Sequence, residues 1–135
     1  MSIAVFDASV LVAALLDSGQ GGRWAEESVL THEMAGPHLV LAETSNILRR
    51  AALAHDVNDE QASLAHADLV GFDIELFPFE PFASRVWQLR RNLTAYDAWY
   101  IALAESLDCP LFTLDGRLAR APGIRCPVRL PAGRP

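Results

Sequence analysis

Residues 3–16, IAVFDASVLVAALL, join a short apolar run, an acid and a longer apolar segment. The run over 3–6 ends at Asp7 and is typical of a buried strand in a parallel sheet. Residues 9–16 are apolar almost all round, which predicts a buried helix. Residues 17–22, DSGQGG, favour a loop because they combine glycine with turn-forming polar residues. A buried strand that leads directly into a buried helix indicates an α/β fold.

The same arrangement returns late in the chain, where LFTL over 111–114, predicted to be a buried strand, is followed by Asp115. Periodicity predicts further strands at 38–40, 73–79 and 128–130. The strand at 73–79 is expected near a sheet edge because it contains proline. Periodicity and capping patterns predict further helices over 24–34, 41–55, 80–92 and 94–107, and one that begins at Asn58. We therefore expect one domain over residues 1–130, a three-layer α/β/α sandwich with a central, mostly parallel sheet. Residues 131–135 are expected to form a short frayed tail.

The composition is that of a globular protein, with 51% hydrophobic residues in a chain of 135. No apolar run approaches the roughly 18 residues that a membrane-spanning helix needs, and no secretion signal begins the chain, so we expect no membrane association. Cys109 and Cys126 lack metal-ligand spacing and are interpreted as reduced thiols, which favours a cytoplasmic location.

All eleven basic residues are arginine. The absence of lysine excludes Schiff-base chemistry, a P-loop and the lysine of receiver domains. The net charge of −6 argues against a passive nucleic-acid-binding module, which usually carries a basic excess. An enzyme that gathers acids around a metal ion escapes that objection. Most other acids, Glu105 among them, are expected on solvated helix faces, and the other arginines, Arg85 among them, are expected to be solvated or paired with acids.

Asp7 and Asp115 stand out because each ends a predicted strand and precedes a turn into a helix. Ligands of parallel α/β sheets bind beyond the carboxyl ends of the strands, where the strand order reverses. Two strands that end there in aspartate would bring their carboxylates together. The alternative, which stays open, is that each aspartate only caps the helix that follows it.

Glu43 and Asp97 are the other two candidates. Glu43 lies in an apolar stretch, where a charge costs free energy unless it is paired or bound to metal; an ion pair with Arg49 or Arg50 is the alternative. Asp97 occupies the third position of a helix that Thr94 caps, and this structural role alone could account for it. The helix dipole there also keeps a carboxylate ionised, as a hard cation requires.

Four carboxylates in one pocket repel one another and are stable together only around a cation. Mg²⁺ fits because it prefers oxygen ligands, and it can activate water for attack on a phosphodiester. From the residues alone, the pattern indicates an acidic metal site and only weakly a nuclease. Arg117, next to Asp115, could contact an RNA phosphate, or it could be solvated or paired with an acid.

The order and setting of these acids resemble the PIN domain, and within it the VapC-like ribonuclease toxins of prokaryotic toxin–antitoxin pairs. The segment with the most specific likeness is TAYDAWYIALAE over 94–105, which contains Asp97. The other matching segments are VFDAS over 5–9, PHLVLAE over 37–43, NILRR over 46–50 and FTLDGRL over 112–118. The likeness covers essentially the whole chain.

The resemblance implies the α/β/α fold and a catalytic metal site formed by Asp7, Glu43, Asp97 and Asp115. It implies Mg²⁺, with Mn²⁺ as an alternative, and an endoribonuclease that cleaves RNA phosphodiesters by metal-activated water. Ser9 and Thr113 match hydroxyl positions near the metal and are predicted as supporting ligands. A homodimer and a cognate antitoxin that inhibits the toxin are further expectations from the family.

Two alternatives remain from the sequence. One is a non-catalytic module that binds RNA or an antitoxin and regulates through that binding. The other is a phosphatase with Asp7 as its aspartyl nucleophile. The phosphatase is the weaker, because position 9 is serine rather than a second aspartate and the chain has no lysine.

Overall fold

A five-stranded, entirely parallel sheet lies at the centre of the computed structural model, which describes residues 1–133. The strands are β1 (Ile3–Phe6), β2 (Glu33–Pro37), β3 (Ile74–Phe77), β4 (Leu111–Phe112) and β5 (Val128–Arg129). Their order across the sheet is β3-β2-β1-β4-β5. The register pairs Val5 of β1 with Ala35 of β2 on one side and with Leu111 of β4 on the other.

The helices within the described residues cover both faces of this sheet. They are α1 (Ala8–Leu16), α2 (Gln20–Leu30), α3 (Val40–Leu53), α4 (Asp59–Val70), α5 (Ala83–Gln88), α6 (Ala95–Leu107) and α7 (Gly116–Ala119). Helix α1 packs on α2, α3 and α4, whereas α5 packs on α6, which lies against β1 and β2. This confirms the predicted α/β/α architecture, with a sheet that is parallel throughout. No helix within residues 1–133 is both long enough and apolar enough to cross a membrane.

The core forms where the sheet meets α1 and α6. Ala4 and Val5 of β1, Leu11 of α1 and both Ile101 and Leu103 of α6 are all completely buried. A strand buried on both faces must be apolar throughout, which is why β1 shows no alternation of polarity. Helix α6 is buried over most of its circumference, so its weak amphipathicity results from its central place.

The prediction for residues 24–40 was wrong in detail. Residues 33–37 form strand β2, whereas a helix was predicted to extend to residue 34, and Val40 begins α3 rather than ending a strand. The segment EMAGP has little intrinsic strand preference, but β1 and β3 pair with it on both sides. Pairing in the middle of a sheet overrides weak local preference.

Helix α2 begins at Gln20, inside the stretch that was predicted to be a loop. Gly22 explains the difference, because a Cβ there would lie 1.8 Å from the backbone carbonyl oxygen of Asp17. The glycine therefore permits a close approach between the start of α2 and the end of α1, rather than breaking the helix.

Other boundaries moved by smaller amounts. The helix predicted over 80–92 is a 3₁₀ turn, Glu80–Phe82, followed by the short helix α5. Strand β3 lies at the sheet edge, as predicted. Asn58 and Gln61 form the expected capping box at α4. Of the predicted tail, Pro131 is buried and 132–133 form an exposed turn; residues 134–135 lie outside the described part of the chain.

Candidate active site

The site lies where the strand order reverses, between β1 and its neighbour β4. Asp7 comes directly after β1, and Asp115 comes after β4 and the two residues Thr113 and Leu114, so both acids stand at the carboxyl edge of the sheet. Each also caps a helix: an oxygen of Asp7 accepts from Val10 N–H at 3.3 Å, and one of Asp115 accepts from Arg117 N–H at 2.9 Å. Asp7 and Asp115 therefore cap helices and also lie together at the edge of the sheet where the strand order reverses.

Two hydroxyl groups hold the Asp7 carboxylate. Ser9 Oγ donates to Asp7 Oδ1 at 2.5 Å, and Thr113 Oγ1 donates to Oδ2. Each hydroxyl oxygen in turn accepts a backbone N–H, Ser9 from Leu114 at 3.1 Å and Thr113 from Asp115 at 3.0 Å. A hydroxyl has one proton, so these backbone donors direct both protons towards Asp7.

The family resemblance suggests Ser9 and Thr113 as supporting ligands, and that role stays a prediction. In the structure both orient Asp7. Asp7 Oδ1 accepts from Ser9 and Val10, whereas Oδ2 accepts only from Thr113 among residues 1–133, which leaves Oδ2 one lone pair for another partner. Burial raises the pKa of Asp7 to about 6, although the two hydroxyls partly oppose this shift.

Glu43, in the first turn of α3, is held by a residue that the sequence did not single out. Tyr100 Oη donates to Glu43 Oε1 at 2.7 Å. Within the described chain Glu43 forms no ion pair with Arg49, Arg50 or any other basic residue, so the ion-pair alternative was wrong. Burial, and secondarily the charge of Asp97, raise the pKa of Glu43.

Asp97 lies in the first turn of α6. Its backbone N–H donates to Thr94 Oγ1 at 3.2 Å, as the predicted cap requires. The reciprocal bond of a capping box, from the Thr94 backbone N–H to the Asp97 carboxylate, is not formed. Within residues 1–133 the carboxylate forms no ion pair, and a hydrogen bond with the Thr94 side chain partly opposes the rise in its pKa. Burial raises the pKa of Asp97, and the charge of Asp115 adds to this effect.

Asp115 differs from the other three because Arg117 neutralises it. Arg117 Nε lies 3.0 Å from Asp115 Oδ1, and Nη2 lies 2.6 Å from Oδ2. This hydrogen bonding lowers the pKa of Asp115. Of the alternatives that the sequence left open for Arg117, the structure shows the pairing with an acid, although the side chain remains 79% exposed; the contact with an RNA phosphate stays a prediction.

The structure thus brings the four predicted acids into one region, but not as a closed cage. The charges of Glu43, Asp7 and Asp97 all raise the pKa of Tyr100, in addition to the larger effect of burial, so the three carboxylates lie within electrostatic reach of one phenol. No three acids, histidines or cysteines among residues 1–133 lie close enough to hold one ion as a group. Mg²⁺ commonly takes one or two carboxylates directly and reaches others through its waters, so this oxygen-only donor set fits it.

A cleft of about 350 Å³ opens beside Asp97. One side is formed by the residues before α6, including Asn92 and Thr94, and the other by α7 and the residues just after it, including Arg117 and Arg120. The cleft therefore places two guanidinium groups next to the acidic site, in a chain whose overall charge is negative.

Known proteins that resemble this chain indicate its family. Residues 4–124 match the PIN domain family. The chain is 40% identical over 131 residues to ribonuclease VapC1 of Mycobacterium tuberculosis, an alignment that covers 96% of this chain and 98% of that protein. It is 36% identical over 124 residues to ribonuclease VapC9 of the same organism, covering 92% and 94%.

Among solved structures, a toxin–antitoxin complex from Klebsiella pneumoniae contains a similar chain, with a TM-score of 0.65. The superposition covers 95% of this chain and 97% of that one at 22% sequence identity, a likeness that bears on the fold. Fold, matched residues and relatives agree with the resemblance seen in the sequence. The chain belongs to the PIN-domain family, and these relatives within the family are VapC ribonucleases.

Proposed function

We propose that the protein is a Mg²⁺-dependent endoribonuclease that acts as the toxin of a toxin–antitoxin pair. The observation that carries the proposal is that Asp7, Glu43 and Asp97 come from three different elements, all act electrostatically on Tyr100, and form no ion pair within residues 1–133. Carboxylates that repel one another in a partly buried site call for a cation. The names of the relatives, VapC ribonucleases, support RNA as the substrate.

The chain's own residues would hold the ion and the substrate. Asp7 is kept in one orientation by its two hydroxyl donors, and Glu43 and Asp97 would contribute further oxygen ligands, directly or through waters of the ion. Asp115 could join them once Arg117 leaves it. When bound, Mg²⁺ would activate water and stabilise the charge that develops on the phosphate.

The cleft beside Asp97 supports a polyanionic substrate. Arg117 is exposed and lies next to the acids, and Arg120 lines the same cleft. Guanidinium groups bind phosphate through two parallel hydrogen bonds, so we propose that Arg117 exchanges Asp115 for an RNA phosphate when substrate arrives. The aspartyl-phosphatase alternative gains no support, because the structure offers no second aspartate at position 9, where Ser9 instead donates to Asp7.

The decisive experiment compares RNA cleavage by the purified protein in EDTA and after Mg²⁺ is restored. We expect EDTA to stop cleavage and Asp97→Asn to reduce it by at least about a hundredfold, because an amide cannot replace the negative charge. Glu60→Gln removes an exposed acid of α4 and serves as the matched control, with activity unchanged. Circular dichroism should show the same fold in all variants.

The outcomes separate the remaining functions. Cleavage that persists in EDTA would contradict metal dependence. No cleavage by the intact protein, with RNA affinity retained after Asp97→Asn, would instead support the non-catalytic binding module. If the protein does cleave RNA, sequencing of RNA 5′ ends after brief induction of its expression would identify the target.

We further propose a homodimer and a cognate antitoxin in the cytoplasm. The solved Klebsiella relative is a toxin–antitoxin complex, and Cys109 and Cys126 are free and buried, as in a reducing compartment. Light scattering of the purified chain should give twice the mass of one chain. Co-expression with the antitoxin should abolish the growth arrest that the toxin alone causes.

A further inference from the structure

The hydroxyl of Tyr100 makes a contact that core packing does not explain. Tyr100 is 3% exposed, and its Oη donates to Glu43 Oε1 at 2.7 Å across 57 residues of sequence. A phenylalanine would fill the same space in the core without a polar atom. The hydroxyl therefore serves the half-buried carboxylate, because a charge at this depth needs a hydrogen-bond donor.

The position of Tyr100 on α6 connects this contact to the candidate active site. It lies three residues after Asp97, so both side chains project from the same face of one helix. Glu43 belongs to α3, on a different part of the chain. The Tyr100–Glu43 hydrogen bond is thus a direct link between the carboxylate of α3 and the helix that carries Asp97.

The link also fixes which oxygen of Glu43 is available. Three rotatable bonds separate the carboxylate from its backbone, and within residues 1–133 no arginine or histidine restrains it. Oε1 is occupied by the phenol, whereas Oε2 accepts no hydrogen bond from the described residues. Oε2 is therefore the Glu43 oxygen that remains available to another partner.

We propose that Tyr100 is a positioning residue for the metal site, which holds Glu43 so that Oε2 stands ready for the cation. This inference rests on the proposed metal-dependent function and adds a residue to it. The role differs from that of a ligand, because the phenol acts only through Glu43. It corresponds, for a carboxylate, to the hydrogen bonds that orient metal ligands in other proteins, whose loss typically weakens metal binding about 10–100-fold.

The test measures binding of Mn²⁺ to the metal-free protein by electron paramagnetic resonance, which needs no RNA and no turnover. We expect Tyr100→Phe to weaken Mn²⁺ binding about tenfold. Tyr96→Phe is the matched control: Tyr96 is the chain's only other tyrosine, is 61% exposed, and its variant should bind Mn²⁺ as the unmodified protein does. Thermal unfolding of each variant verifies that the ring still packs.

A double-mutant cycle distinguishes positioning from a general loosening of the core. In a Glu43→Ala background, Tyr100→Phe should change Mn²⁺ affinity no further, because the group through which the phenol acts is gone. Glu43→Ala with Tyr100→Phe also removes both partners, so no unpaired carboxylate remains to destabilise the fold. The cycle therefore stays informative if the single variant is unstable.

The proposal would be overturned if Tyr100→Phe bound Mn²⁺ as tightly as the unmodified protein. It would also be overturned if the loss persisted equally in the Glu43→Ala background. Either result would leave the metal-dependent function intact, provided that the unmodified protein binds Mn²⁺ and Asp97→Asn does not. An unmodified protein that binds no Mn²⁺ would refute both proposals together.

Discussion

The ionised carboxylate of Asp7 is destabilised by its burial. It is 9% exposed, and it is supported by hydroxyl donors rather than by a cation. Under the proposed function, a divalent ion would supply the positive charge that the protein alone does not. In the metal-free protein, however, the same burial favours the protonated acid.

The stability of the metal-free protein should therefore depend on pH through Asp7. Its pKa is raised from 3.8 to about 6, so between these values the folded state binds more protons than the unfolded state. The unfolding free energy should consequently fall as pH rises from about 4 to about 6, by about 3 kcal/mol from this group. Urea unfolding in EDTA at several pH values measures the effect.

Asp7→Asn is the matched variant for this measurement, because the amide does not titrate. Its unfolding free energy should lack the part of the pH dependence that Asp7 contributes, while the parts due to Glu43, Asp97 and Asp115 cancel in the comparison. Equal pH dependence in both proteins would show that Asp7 is not the titrating group.

At the scale of elements, two features depend on tertiary packing. The first is helix α6, which carries two residues of the candidate site, and the second is the junction of α1 and α2, where close packing sets the start of α2. Helix α6 presents Asp97 in its first turn and Tyr100 one turn later. The junction depends on Gly22, which is buried beside the Asp17 carbonyl. Neither feature can be read from helix preference alone, since both depend on what lies opposite.

Gly22→Ala should destabilise the protein although alanine favours helices. The added Cβ would meet the Asp17 carbonyl oxygen at 1.8 Å and its carbon at 2.5 Å, so backbone must move. We expect a loss of more than about 2 kcal/mol in unfolding free energy, measured by denaturant titration.

The neighbouring Gly21→Ala is the control, because its Cβ would meet only the flexible Asp17 carboxylate, at 3.3 Å. It should be neutral or stabilising by up to about 1 kcal/mol. If the two variants behaved alike, the close approach at Gly22 would not be what permits α2 to begin at Gln20.

At the scale of the whole molecule, one ion pair attaches the last segment to the rest. Arg85 of α5 donates to both oxygens of Glu105 of α6, at 2.7 and 3.0 Å, and to the carbonyl of Gly123 at 2.7 Å. Glu105 also accepts from Arg125 N–H at 2.7 Å. Glu105 was expected on a solvated face, and this expectation was wrong because Arg85 and the chain before β5 cover it. Pairing with an acid was one of the two alternatives for Arg85.

Removal of this contact should weaken the whole fold rather than the site alone. Arg85→Met leaves Glu105, whose side chain is 11% exposed, without its partner, so we expect a loss of about 2 kcal/mol in unfolding free energy. Arg91→Met is the control, because Arg91 is exposed in the turn that follows α5; this variant should change the unfolding free energy little. An equal effect of the two changes, measured by urea unfolding, would contradict the anchoring role.

Much of the fold could be predicted because the signals are local and strong. The buried strand before Asp7, the capping box of Asn58 and the Thr94 cap of α6 are each encoded by neighbouring residues. The positions of the four acids were indicated by strand ends, an apolar context and a helix start. Strand β2 could not be predicted in the same way, because the residues that stabilise it lie on β1 and β3.

The sequence by itself determined the alternation of strands and helices, the acids of the site and the family, since these depend on short-range patterns that a single chain displays. Only the tertiary structure decided the partners of those acids: the hydroxyls on Asp7, the Tyr100 phenol on Glu43 and the Arg117 guanidinium on Asp115. Tyr100 and Glu43 are 57 residues apart. Hydrogen bonds act over about 3 Å, so which groups meet is settled only when the sheet brings distant segments together.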